Sequence, residues 1–98
     1  MHEINRQEAK TRIENSPLTQ NLRLFIQNHN WHNEIFPEYA QGKTANEFSY
    51  WLENYIKEEY PEMMELDWQG LPEPYSNLLG HALSMIDWCA LGVYFYPD

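Results

Sequence analysis

The chain has 98 residues, enough for one domain that buries roughly 60–65% of its unfolded surface, and its 15% aromatic content excludes a disordered chain. Fifteen Asp and Glu against six Lys and Arg give a formal net charge of −9, which argues against nucleic acid or an anionic membrane as a direct partner. A single cysteine, Cys89, closes no internal disulfide, and the first residues lack the apolar run of a secretory signal, so a reducing cytoplasm is the expected compartment.

In chain order, residues 3–15 are polar, with Ile4 and Ile13 as the only large apolar members, which predicts a weak helix or a loosely docked arm. Ser16-Pro17 reads as an N-cap followed by proline at the first helical position. Leu18, Leu22, Phe25 and Ile26 then recur at helical spacing, predicting a helix from Pro17 to about Asn28. Residues 29–43 carry Asn30, Asn33, Pro37 and Gly42, which predict a loop or one helical turn around Glu34 and Phe36, pinned by Trp31, Ile35, Phe36 and Tyr39. Thr44-Ala45-Asn46-Glu47 has the form of a capping box. It opens the clearest helix, with Phe48, Trp51, Leu52, Tyr55 and Ile56 at i, i+3, i+4, i+7 and i+8.

Pro61 stops or kinks that helix and can open a short one to about Trp68. Gly70 to Pro74 predicts a stiff turn. Residues 75–91 then read as one helix, apolar on nearly every side, that belongs at the centre of a bundle. The nineteen residues 78–96 carry one formal charge, but His81, Ser84 and Asp87 lie inside and no Lys or Arg flanks them, which favours a core helix over a membrane span. Residues 93–96 suggest an extended tail. Trp51 and Leu83 are expected in the core.

The charge is uneven along this order. Residues 1–24 hold four basic against three acidic residues, whereas residues 25–98 hold two against twelve. The acids are densest between Glu53 and Glu73, where Glu53, Glu58, Glu59, Glu62, Glu65, Asp67 and Glu73 face only Lys57. With Trp68 they form the expected partner-binding set, with Trp51, Tyr55 and Tyr60 as further aromatic anchors.

Other constellations are weaker. His29 and His32 are three apart, yet two imidazoles make no metal site, and the context reads as surface histidines. His81, Met85 and Cys89 are spaced four apart, as copper(I) ligands or as any core stripe. Cys89 sits in the most apolar segment, where a thiol is inert. Glu58, Glu59, Glu62 and Glu65 have no accompanying pocket or glycine loop that would make them acid–base catalysts. Asp87, alone among apolar neighbours, needs a donor such as His81, Trp31 or a tyrosine, or else faces a groove.

Three stretches carry a resemblance: Leu22-Arg23-Leu24-Phe25-Ile26, then Gly42-Lys43-Thr44-Ala45-Asn46-Glu47-Phe48, then Leu83-Ser84-Met85-Ile86-Asp87-Trp88 with Tyr96-Pro97-Asp98. Together they resemble the colicin D immunity family, acidic helical proteins that neutralise a nuclease toxin by covering its active site. The resemblance implies the same work here and assigns no individual toxin-contacting residue.

The expectation is therefore one acidic all-α domain, residues 1–98, built as a small antiparallel bundle of about four helices. It would bind a basic protein partner as an inhibitor, without catalytic residues, cofactor or metal. A phage-type decoy that mimics nucleic acid to block a defence nuclease, as an anti-CRISPR does, shares the same physics. A small metal-binding protein or enzyme is the alternative from another class, and a subunit that dimerises through its apolar last helix is a third.

Overall fold

The structure, a computed structural model, describes residues 4–97. The start of the N-terminal segment at Glu3, and Asp98, lie outside the described residues. The described part is all-α, with no strand among these residues.

Helix α1, Arg6–Glu14, is opened by Asn5, whose side-chain oxygen accepts from the Glu8 amide at 2.8 Å. The segment that read as a weak helix or arm is docked. Ala9 and Ile13, one turn apart, are fully buried, and α1 packs on α8 and α2. Helix α2, Pro17–Asn28, has the expected proline start, but the Ser16 hydroxyl does not cap it. It pairs at 2.8 Å with the hydroxyl of Thr19, which is fully buried. Ile26 is the buried member of the expected stripe, while Leu18 is exposed.

Residues 29–43 form two single turns rather than one, α3 at Trp31–Glu34 and α4 at Phe36–Tyr39. Asn30 adopts a left-handed conformation (φ 58°) that redirects the chain into α3, and Pro37 sits near the start of α4, where its missing N–H costs nothing. Trp31 and Phe36 enter the core. Tyr39 does not; it lies exposed and flat on Trp51.

Helix α5, Ala45–Asn54, begins with the capping box as expected: the Glu47 amide donates to the Thr44 hydroxyl at 3.1 Å and the Thr44 amide to the Glu47 carboxylate at 2.9 Å. Phe48, Leu52 and Tyr55 point inward. The helix then widens into a π turn, Tyr55–Glu59, in which the Tyr60 amide reaches back five residues to the Tyr55 carbonyl, and continues as α6, Tyr60–Met63. Pro61 explains the widening. It has no N–H for the Lys57 carbonyl four residues back, and its ring crowds that oxygen. The orphaned carbonyl is taken up by the Trp68 indole N–H at 2.9 Å.

Helix α6 stops at Met63, short of the expected end near Trp68. The Leu66 amide returns to the Pro61 carbonyl and the Glu65 amide to that of Glu62, with Glu65 left-handed at φ 57°. This is the Schellman closure.

The largest correction concerns residues 75–91, which are not one helix. They form α7, Tyr75–Ser84, and α8, Trp88–Phe95, bent by 57° at the break. Asp87 makes the break. Its amide donates to the buried Thr19 hydroxyl at 3.0 Å, its carboxylate accepts the Ala90 amide at 3.1 Å as the N-cap of α8, and Arg12 grips the same carboxylate with two bonds of 2.7 and 2.9 Å. A carboxylate among apolar side chains needs several donors, and a continuous helix would supply none.

Only α8 is central. It buries Ala90, Leu91, Gly92 and Phe95, and a Cβ on Gly92 would collide with Ser49 of α5. That close approach seats α8 against α5. Helix α7 buries no residue, and Leu78 is 63% exposed. Leu83 and Trp51, expected in the core, are half-buried, and Cys89, expected to be shielded, is exposed. Residues 93–95, expected in an extended tail, continue α8. Among the described residues, no single helix is long and apolar enough to cross a membrane.

Candidate functional site

The π turn and α6 carry three of the seven acids singled out in the sequence, Glu58, Glu59 and Glu62, and the structure divides the seven by what they touch. Glu53 is half-buried and bonded to Lys57 at 2.6 Å, and the same ammonium lies 5.9 Å from the Trp88 ring centre. Asp67 accepts the Gly70 amide at 3.0 Å and shapes the turn. Trp68, expected as a partner anchor, is half-buried with its N–H committed to Lys57. These three have structural work.

The remaining five acids are exposed. Glu58 meets only the Gln69 amide, at 3.5 Å, while Glu59, Glu62, Glu65 and Glu73 make no ion pair among the described residues. Exposed apolar side chains stand among them: Met63 is 66% exposed, Leu66 62%, and Met64 is open as well. The surface from Glu58 to Glu73 is thus acidic and apolar at once.

Glu59 and Glu62 face an open groove of 720 Å³ whose other rim comes from the two short turns, where Glu34 of α3 and Glu38 of α4 project. Ile35 and Met63 also line it. Glu34 and Glu38 stood outside the expected partner-binding set because their segment reads mainly as loop; their spacing of four residues was the available signal. The groove therefore gathers four carboxylates from two distant segments. None of the four is paired with a cation among the described residues.

Two aromatic residues, Tyr39 and Tyr55, line the same groove. Tyr39 stacks on Trp51 (4.7 Å between centres, 17° between planes), and Trp51 stacks on Tyr55 (5.0 Å, 26°). Trp31 closes edge-on against Tyr55 and Tyr60, fixing the stack to the core. Tyr55 is only 5% exposed, yet it lines the groove, and its hydroxyl has no hydrogen-bond partner among the described residues. Burial pushes its phenol above the ordinary value, and the nearby Glu59 carboxylate pushes the same way.

The alternative constellations come apart. The His29 ring bonds the Phe25 carbonyl at 2.9 Å and His32 lies beside Phe95, so the two imidazoles serve different neighbours. The bend after α7 places His81 and Cys89 on different helices. Among the described residues no three His, Cys, Asp or Glu converge as metal ligands would. Asp87 has the structural pairing expected of it, through Arg12 instead of the donors considered.

No protein-family model, curated protein or solved structure matches the chain.

Proposed function

We propose that this protein is a stoichiometric inhibitor that covers the basic surface of another protein, an immunity-type partner of a nuclease toxin. One observation carries the reading: the exposed carboxylates of Glu58, Glu59, Glu62, Glu65 and Glu73 lie among exposed Met63, Met64 and Leu66 and pair with no cation among the described residues. Apolar contacts supply affinity at such a surface, and the charges supply steering and choice of partner. A nuclease fits because it must attract phosphate and so presents a positive cleft. The three stretches resembling colicin D immunity proteins point to the same work. An exposed thiol at Cys89 suits a reducing cytoplasm.

The test is titration of the protein into a purified basic nuclease, beginning with any encoded by the adjoining reading frame. Activity should fall in proportion to added protein and vanish at a fixed small molar ratio. Undiminished activity of that nuclease at molar excess contradicts the reading, as does inactivation by catalytic amounts, which would indicate an enzyme.

A further inference from the structure

We propose that the groove between the α3–α4 turns and the π turn is a receptor for an arginine side chain carried on a basic segment of the partner. The proposal rests on the inhibitor reading only for the partner's identity; the chemistry of the groove stands by itself. Glu34, Glu38, Glu59 and Glu62 line it from two sides. The lysines near them in sequence are engaged elsewhere, Lys57 with Glu53 and Lys43 with the Tyr39 carbonyl at 2.7 Å. The groove's negative charge is thus left for a ligand.

A second observation is independent of that charge. The Tyr55 side chain is buried where it lines the groove, and its hydroxyl, open to solvent, has no protein partner among the described residues. A hydroxyl so placed can accept an N–H from a ligand in the groove.

Two features select guanidinium among cations. First, the carboxylates do not converge on one point, so they suit a donor with five N–H groups spread over a plane better than a metal ion or a compact ammonium. Second, one face of Tyr39 is covered by Trp51 while the residue stays 42% exposed, which leaves ring surface for a planar cation to stack on. The groove, open and 720 Å³ in volume, leaves room for a neighbouring residue of the same segment beside the arginine.

The experiment is calorimetric titration of the intact protein with octa-arginine, octa-lysine, spermidine and calcium chloride in separate runs at physiological salt. Octa-arginine should bind at least about fivefold more tightly than octa-lysine, and calcium should not bind stoichiometrically. Glu34→Gln with Glu38→Gln should weaken octa-arginine about tenfold. Glu58→Gln with Glu73→Gln removes the same charge outside the groove and should weaken it less than about twofold. Tyr55→Phe, which keeps the buried ring, should cost about threefold or more.

Equal losses from the two double variants would mean diffuse attraction by net charge and overturn the proposal. Octa-lysine or spermidine binding as tightly as octa-arginine would overturn the choice of guanidinium, and stoichiometric calcium binding would make the groove a metal site. If Tyr55→Phe unfolds, the exposed Glu34 and Glu38 pair decides alone. Arginine binding in the groove together with failure to inhibit any basic nuclease would retain the groove and discard the inhibitor reading.

Discussion

Asp87 decides more of this fold than any other single residue. Its amide meets α2 through Thr19, its carboxylate meets α1 through Arg12, and the same carboxylate starts α8. Asp87→Ala should therefore lower stability by about 2–4 kcal/mol, combining a lost N-cap with a charged pair that is half-exposed and worth correspondingly less. Urea unfolding monitored by tryptophan fluorescence measures it. A loss below about 0.5 kcal/mol would show that α8 starts without its cap.

Glu47 is the residue whose charge state is tied most directly to its local bonds. The Thr44 amide first, and the Thr44 hydroxyl second, hold its carboxyl below the ordinary value of 4.5. A depressed folded pKa contributes stability that is present above the unfolded value and lost as pH falls through the folded one. The stability difference between the protein and Glu47→Gln should accordingly be steady at neutral pH and shrink as pH drops below about 4.5. A difference independent of pH would remove the carboxylate from the cap.

At the scale of elements, features set by neighbours in sequence were readable and those set by distant partners were not. The capping box at Thr44 and the proline start of α2 involve residues within a turn of each other, so spacing alone reveals them. Pro61 announced a disturbance, but the π turn depends on the Trp68 indole arriving at the Lys57 carbonyl from eleven residues away. The break between α7 and α8 was invisible because Arg12 and Thr19, which hold Asp87, lie 75 and 68 residues from it. Burial of Ala9 and Gly92 was hidden for another reason: small residues mark close approach of helices and carry no hydropathy signal.

The division between α7 and α8 has a direct consequence for mutation. Leu91→Ala in α8 removes fully buried volume and should cost about 2–5 kcal/mol, whereas Leu78→Ser in α7 should change stability by less than about 0.5 kcal/mol. The same urea experiment checks both. A large loss at Leu78 would place α7 in the core, as its apolar composition first suggested.

At the scale of the whole molecule, composition revealed an all-α acidic protein and the stretch where its acids concentrate. It did not reveal that α3 and α4 bring Glu34 and Glu38 opposite Glu59 and Glu62, because that juxtaposition exists only after Trp31 and Phe36 are packed. Nor did it show that Glu53, Asp67 and Trp68 are occupied inside the chain. The acidic face that remains is free to act at a distance.

Long-range attraction of this kind is screened over about 8–10 Å at physiological salt, so its signature is kinetic. The decisive measurement is the association rate with the proposed nuclease partner as a function of salt, for the protein and for the variant with Glu58, Glu59, Glu62 and Glu65 all changed to lysine. Each reversal adds two units, moving the formal net charge from −9 to −1, and all four side chains are exposed, so the fold should survive. The account predicts an on-rate that falls steeply with salt for the protein, and a folded variant whose on-rate is at least about tenfold slower and nearly insensitive to salt. A folded variant that associates at the original rate, with salt making no difference to either protein, would contradict the account and remove the acidic face from recognition.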